Sequence, residues 1–261
     1  MSKNLKLGTN VVIHEGVSFG ENVTVSDFCV IHPNVVIGDN VFIGNFSIIG
    51  EPTAEYYRNP DYKNPQTKIG SHSIIRSHSI IYADVQIGNY FESGHRITIR
   101  TKTLIGEHSK IGTLCDLQGE SQIGNYVRLH GHVEIGEKSN IKDFVWIFSS
   151  VVLTNDPTPP SNIIQGVTVN KFAVIACGSI IMPRVTIGED ALVGALSLVR
   201  NDVPKEMVVA GNPAKEIGSV RDIKNKFTGE QVYPWRYTFK RGMPWEADGY
   251  EKWEKSLKSG S

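Results

Sequence analysis

The sequence predicts an all-β chain folded as a three-sided parallel β-helix of about ten coils, followed by a short aromatic-rich tail. Three observations carry this. Aliphatic residues recur every six positions, a small or β-branched residue stands two places before many of them, and glycine often follows directly. A period of six fits neither an amphipathic helix, with its 3.6-residue repeat, nor a plain alternating strand. It fits short strands joined by tight turns, three hexads to a coil, so that every third hexad returns to the same side. One apolar side chain per strand then fills the prism, and coils stack about 4.8 Å apart.

The first run is Leu7, Ile13, Phe19, Val25, Ile31, Ile37, Ile43 and Ile49. A second starts at Ile69 and holds phase to Leu153, with Ser93 the one polar member, and a third runs from Val169 to Val199. Val127, Val133, Ser139 and Val145 are examples of the small or branched residue beside the axis. Gly88, Gly106, Gly112, Gly124 and Gly136 follow their aliphatic residues, and each is expected to supply the backbone freedom of a corner. The pattern assigns residues 1–213 to one elongated helix, with insertions at 51–67 and 154–168, and residues 214–261 to an extension.

Bulk properties narrow the function classes. Lys plus Arg and Asp plus Glu both number 27, so formal charge is zero and gives no reason to expect nucleic acid or an anionic membrane as partner. The opening residues lack an apolar signal core, and no apolar run is long enough to span a bilayer, so a cytoplasmic protein is expected. Cys29, Cys115 and Cys177 are odd in number and far apart, which suits neither a disulfide framework nor a zinc ribbon.

Phase counting locates the insertions. Take the hexads beginning at 93, 99 and 105 as faces A, B and C. Both insertions then leave the corner between B and C, five levels or about 24 Å apart, far enough to bracket an extended ligand. The first carries Tyr56, Tyr57 and Tyr62. In the tail, "AKEIGSVRDIKNKF" is expected to be a short helix. "YPWRYTFKRGMPWEADGYEKWEK" holds three of the four tryptophans and must pack on the helix flank or a neighbouring subunit. The final "KSGS" reads as a flexible end.

Stacking of residues one whole coil apart also gives polar columns on face A. One contains His95, Ser149, Cys177 and Ala195; its neighbour contains Arg96, His132, Ser150 and Gly178. The small members form a trough that exposes backbone amides to a narrow ligand. It runs toward His95, His130 and His132, with Asp116 and Glu134 at the adjoining corner and Glu92 and Glu137 nearby. An imidazole with an ordinary pKa near 6.5 suits removal of a proton from an attacking amine. The Asn155 amide is placed to steady an oxyanion. His14, His32, His72, His78 and His108 are read as surface residues.

The pattern [LIV]-[GAED]-x-x-[STAV]-x resembles that of the hexapeptide-repeat acyltransferases over residues 7 to 217. "VTIGEDALVGALSLVRNDVPKEMVVAGNPAKEIG" resembles that family's exit from the helix. "LTND" and "PWRYTFKRG" resemble segments of the acyltransferases acting on nucleotide-linked amino sugars. The resemblance implies a left-handed parallel β-helix, a homotrimer with sites between subunits, and acyl transfer from acyl-CoA to a dTDP-linked amino-dideoxy sugar, with no metal. On this reading His132, His95, Asn155 and His130 are catalytic candidates. Asp116, Glu134, Glu137, Glu92, Arg96, Tyr56 and Tyr57 bind substrate. Ser149, Ser150, Cys177, Gly178 and Ala195 take the pantetheine arm, and Lys171, Arg184 and Lys215 meet coenzyme phosphates. Four alternatives stand beside it: acyl-carrier-protein-dependent acylation of a UDP-sugar, small-molecule O-acetyltransfer to serine or a sugar, which leaves the long first insertion unexplained, a γ-type carbonic anhydrase, and a non-catalytic trimeric scaffold. The H-x-H at 130 and 132 differs from the H-x-x-x-x-H ligand pair of the anhydrases.

Overall fold

A computed structural model describes residues 4–59 and 61–259. Gly260 and Ser261 of the expected flexible end lie outside the described residues, as do Met1–Lys3 and Pro60; Lys258 and Ser259 instead complete a terminal helix, Tyr250–Ser259. The chain forms three sheets of very short strands. Face A has eleven parallel strands from Lys6–Leu7 to Met207–Ala210, face B ten from Val12–Ile13 to Leu198–Val199, and face C nine from Ser18–Phe19 to Thr186–Ile187. A bridge from Ile187 to Val203 begins a tenth rung on face C. The expected β-helix and its coil number are therefore present.

Register follows the hexad phase. Glu92 pairs with Lys110, Lys110 with Arg128, and Arg128 with Trp146, each partner lying three hexads further along the chain. Coils are tied by backbone bonds such as Gly112 N–H to the Leu129 carbonyl, 2.7 Å. From Val25 onward the axial aliphatics, among them Ile75, Ile99, Leu117 and Ile135, are buried, while Leu7 and Ile13 of the first coil are exposed. Ser93 is buried as well, and its Oγ accepts from the Arg76 amide at 2.8 Å, so the polar interruption is satisfied rather than orphaned.

The corners are not built as glycine was expected to build them. The left-handed backbone position falls on the third residue after the aliphatic, held by His78, Arg96, Lys102, His132, Ser150 and others at φ of 55–62°. The glycine directly after the aliphatic recurs for a different reason, which is space. A Cβ on Gly106 would stand 2.7 Å from the Asn125 backbone nitrogen, and one on Gly112 2.5 Å from that of Gly131. Neighbouring coils approach too closely there for a side chain.

Both insertions leave the corner between faces B and C, after Ile48–Glu51 and after Val152–Leu153. The first contains a short helix, Ala54–Arg58. The second is irregular and is organised by Asp156, whose carboxylate accepts from the Thr158 amide and from the Ser161 amide and hydroxyl. Residues 214–227 do not form the expected helix. Lys215–Ser219 instead pairs antiparallel with Met207–Ala210, and a 3-10 turn follows at Val220–Asp222. Pairing with the last strand satisfies a sheet edge that a helix would leave open.

The aromatic tail packs against face A and the corner between faces C and A. Trp235, Met243, Trp245 and Tyr250 are buried with Phe144, Phe172 and Val174. Trp235 Nε1 donates to the Phe172 carbonyl at 2.7 Å. At that corner the left-handed positions form a stack of rings, His72, Tyr90, His108, Tyr126, Phe144 and Phe172, with neighbouring centroids 4.5–5.3 Å apart. Arg236 closes the stack, its guanidinium 4.4 Å from the Phe172 centroid and 2.8 Å from Asp190 Oδ2.

Candidate active site

Between the two insertions, face B presents a polar surface. The residues flanking each axial aliphatic point outward because side chains alternate along a strand. One column runs Thr98, Asp116, Glu134, Val152. A second, one residue beyond each aliphatic, runs Tyr82, Arg100, Gln118, Gly136, Thr154.

These columns interlock. Arg100 grips Asp116 with two parallel bonds, Nε to Oδ1 at 3.2 Å and Nη2 to Oδ2 at 2.7 Å. That carboxylate holds the guanidinium above its ordinary pKa. Gln118 Nε2 donates to Glu134 Oε1 at 2.5 Å, while its carbonyl takes a long 3.5 Å bond from Asn155 Nδ2. The second insertion thus delivers Asn155 to the edge of a row that already holds two carboxylates. The pairs are half-exposed and add little stability; their effect is to fix side-chain orientation.

The first insertion closes the other end. Tyr57 donates to Glu51 Oε1 at 3.2 Å, and His32 Nε2 lies 3.4 Å from Glu51 Oε2. Burial holds the His32 imidazole below its ordinary range, and its Nδ1 is buried without a partner among the described residues. It stacks on His14 at 5.1 Å, so it is no loose surface residue. Tyr56 meets Tyr57 and Tyr62 edge-on, and with Asn34, Lys63 and Asn64 it lines a cleft of about 780 Å³. Asn64 is 6% exposed, and its Oδ1 is buried with no partner among the described residues.

The remaining candidates are distributed around the helix. His95, Arg96, His132, Ser149, Ser150, Cys177, Gly178 and Ala195 line the corner between faces A and B, rather than the flat of face A. His95 Nδ1 is 2.9 Å from Ser77 Oγ. His132 is exposed, in the left-handed conformation at φ 60°, shortly ahead of Glu134. Leu196 leans across the trough, with Cδ2 2.7 Å from where a Gly178 Cβ would stand. His130 is drawn away from this group: it lies on face A, its ring 4.4 Å from Phe148, and burial holds its imidazole low. Glu92 is also on face A, paired with Lys110 at 2.6 Å. Glu137 lies on the corner between B and C, where its charge reaches Lys102. Lys171 pairs with Asp143 at 3.2 Å on the corner between C and A. Arg184 is exposed on the corner between B and C, and Lys215 on the terminal hairpin. The three basic residues are thus not gathered on the trough within one chain.

Sequence reasoning does not find Arg100, Gln118, Glu51 and His32. A signal for Arg100 and Gln118 exists: they stand one whole coil apart, each one place after the axial aliphatic. Among the described residues no group of three or more His, Cys, Asp or Glu is placed to hold a metal ion. Nor is any described helix long and apolar enough to cross a membrane.

Residues 16–51 match the family profile described as "Bacterial transferase hexapeptide (six repeats)". A segment of the chain is 40% identical over 96 residues to the dTDP-4-amino-4,6-dideoxy-D-glucose acyltransferase of Escherichia coli, covering 33% of this chain and 50% of that protein. The chain is also 32% identical over 88 residues to a putative serine acetyltransferase of Schizosaccharomyces pombe, covering 34% of this chain and 32% of that protein. The chain thus spans half or less of the length of these relatives. The solved Arabidopsis UDP-N-acetylglucosamine acyltransferase shares the fold, with a TM-score of 0.57 and 19% identity across 80% of this chain and 73% of that one. The chain thus carries hexapeptide repeats of that profile, in three parallel sheets with coil-by-coil register, and is similar to these acyltransferases.

Proposed function

We propose that the protein transfers an acetyl or short hydroxyacyl group from acyl-CoA to the amino group of a dTDP-linked amino-dideoxy sugar, as a homotrimer. The observation that carries this reading is the row Asp116, Gln118, Glu134 and Asn155 between insertions that leave one corner. An amino sugar arrives largely as an ammonium ion, and two fixed carboxylates are suited to hold it. Attack on a thioester requires the neutral amine. His132, exposed at the edge of this row, takes the proton; Glu134 and Asp116 hold the nitrogen, and the Asn155 amide donates to the oxyanion. The amine nitrogen forms its bond to the carbonyl carbon as the C–S bond breaks, and coenzyme A leaves as the thiol. The tyrosine cleft of the first insertion suits the nucleotide, and the small residues on the corner between A and B suit the pantetheine arm. The likeness to the Escherichia coli enzyme supports a dTDP-amino sugar as acceptor.

The test is release of free thiol across acetyl- and hydroxyacyl-CoA donors and dTDP-3-amino and dTDP-4-amino sugars. An arm with acyl carrier protein and UDP-N-acetylglucosamine, and one with serine, address the other relatives. Turnover with a dTDP-amino sugar supports the proposal; thiol release only in the serine or UDP-sugar arms, or in none, overturns it.

A further inference from the structure

The tail does more than cover face A. It leaves a cleft of about 910 Å³ against the eighth and ninth coils, walled by Trp146, Phe148, Val174, Tyr233, Trp235 and Phe239. Trp146 Nε1 is buried in this wall without a hydrogen-bond partner among the described residues. The other indole of the wall is satisfied, since Trp235 Nε1 bonds to a carbonyl. A buried N–H left open costs free energy unless a ligand or water accepts it.

The chemistry of an occupant follows from the lining. The walls are aromatic faces and edges, so the body of the ligand is flat and apolar. The open indole demands an acceptor atom, a carbonyl or ring nitrogen. Among the described residues the one charged lining group is the Glu230 carboxylate, which disfavours an anion inside the cleft. Outside it, Arg241 stands 5.9 Å from the Phe239 centroid, a cation beside the aromatic wall. Rim amides come from Asn225 and Gln231.

We propose that this cleft binds the nucleobase of a nucleotide, with the base stacked on the wall, Trp146 Nε1–H donating to a base acceptor, and the phosphates outside toward Arg241. Base stacking on aromatic side chains is tolerant of which base is present. The base is therefore the adenine of coenzyme A or, in place of the tyrosine cleft assigned above, that of a dTDP-sugar. An acyl thioester also offers a carbonyl to the indole but has no flat face to stack on the aromatic walls, which is why the nucleobase is favoured. The proposal does not rest on acyl transfer, because it concerns binding alone.

The experiment follows the indole ¹H–¹⁵N resonances of the full-length protein during titration with dTDP, with coenzyme A, with inorganic pyrophosphate and with a nucleobase-free acyl thioester of N-acetylcysteamine. The Trp146 signal is assigned by its loss in Trp146→Phe. A shift of that signal with dTDP or with coenzyme A supports the proposal, and which of them acts identifies the source of the base. Trp146→Phe is expected to weaken that nucleotide about three- to tenfold, the size of one hydrogen bond. Val232→Phe, which fills the cleft from its rim and keeps Trp146, is expected to abolish the shift. No shift with either nucleotide, an equal shift with pyrophosphate or the acyl thioester, or unchanged affinity in both variants overturns it. Absence of thiol release in the turnover assay leaves these outcomes unaffected.

Discussion

Faces A and B are made from the same hexads, yet only face A passes under the aromatic tail, at coils eight and nine. On face B the outward positions are Asp116, Glu134, Arg100 and Gln118, cross-linked by hydrogen bonds at the surface. On face A the outward positions are Glu92, Lys110 and Arg128 in coils five to seven, then Trp146, Phe148 and Val174 in coils eight and nine, where the tail covers them. The axial residues differ little between the two, being buried aliphatics with few exceptions. The repeat therefore sets the scaffold, and the outward positions divide the work: anchoring of the tail on A and, on the function proposed above, chemistry on B.

That division can be broken experimentally. The largest effect is expected from His132→Asn, because asparagine tolerates the left-handed backbone and removes only the imidazole. Its kcat should fall by about 10²–10⁴ with Tm unchanged; unchanged turnover would remove His132 from proton transfer. Trp245→Ala should do the reverse. Emptying a 1% exposed indole site from the tail cluster should cost about 3–5 kcal/mol in denaturant unfolding. A large loss of stability in His132→Asn would erase the contrast between the faces.

Glu134→Gln sharpens the assignment within face B. It keeps the shape beside Gln118 but removes the charge, so KM for the amino sugar should rise about tenfold with a smaller change in kcat. An unchanged KM would move the ammonium site off Glu134. The smallest effect concerns pH. Burial holds His32, His108 and His130 below the ordinary imidazole range. The unfolded chain thus takes up protons first as pH falls below about 6.5, so stability present above that value is lost on acidification. His130→Gln should flatten that slope; a slope as steep as in the parent would show that its burial does not couple to folding.

Much of this is legible in the sequence, and the failures are instructive. Phase counting places both insertions on one corner because each hexad corresponds to one face without exception between Ile69 and Leu153. The glycine expectation fails because a sequence names the residue but not the demand it meets: Gly106 answers to the next coil's backbone, while Lys102 and His132 take the left-handed turns. His130 and His132 look like one cluster because they are two apart. In the fold, one place after the aliphatic lies flat on face A and three places after lies on the corner, so they face different neighbours. The cover over face A is not legible in detail, since Trp235 meets Phe172 across 63 residues of chain.

The hexad register also makes the molecule a ruler with whole-coil graduations. Removing one complete coil between the insertions would shorten the gap between the tyrosine cleft and Asn155 by about 4.8 Å and leave both on the same corner. Removing a single hexad would keep the core apolar yet turn the two loops onto different corners. Reach toward a longer or shorter ligand can therefore change only in steps, and the present spacing of five coils is one such setting.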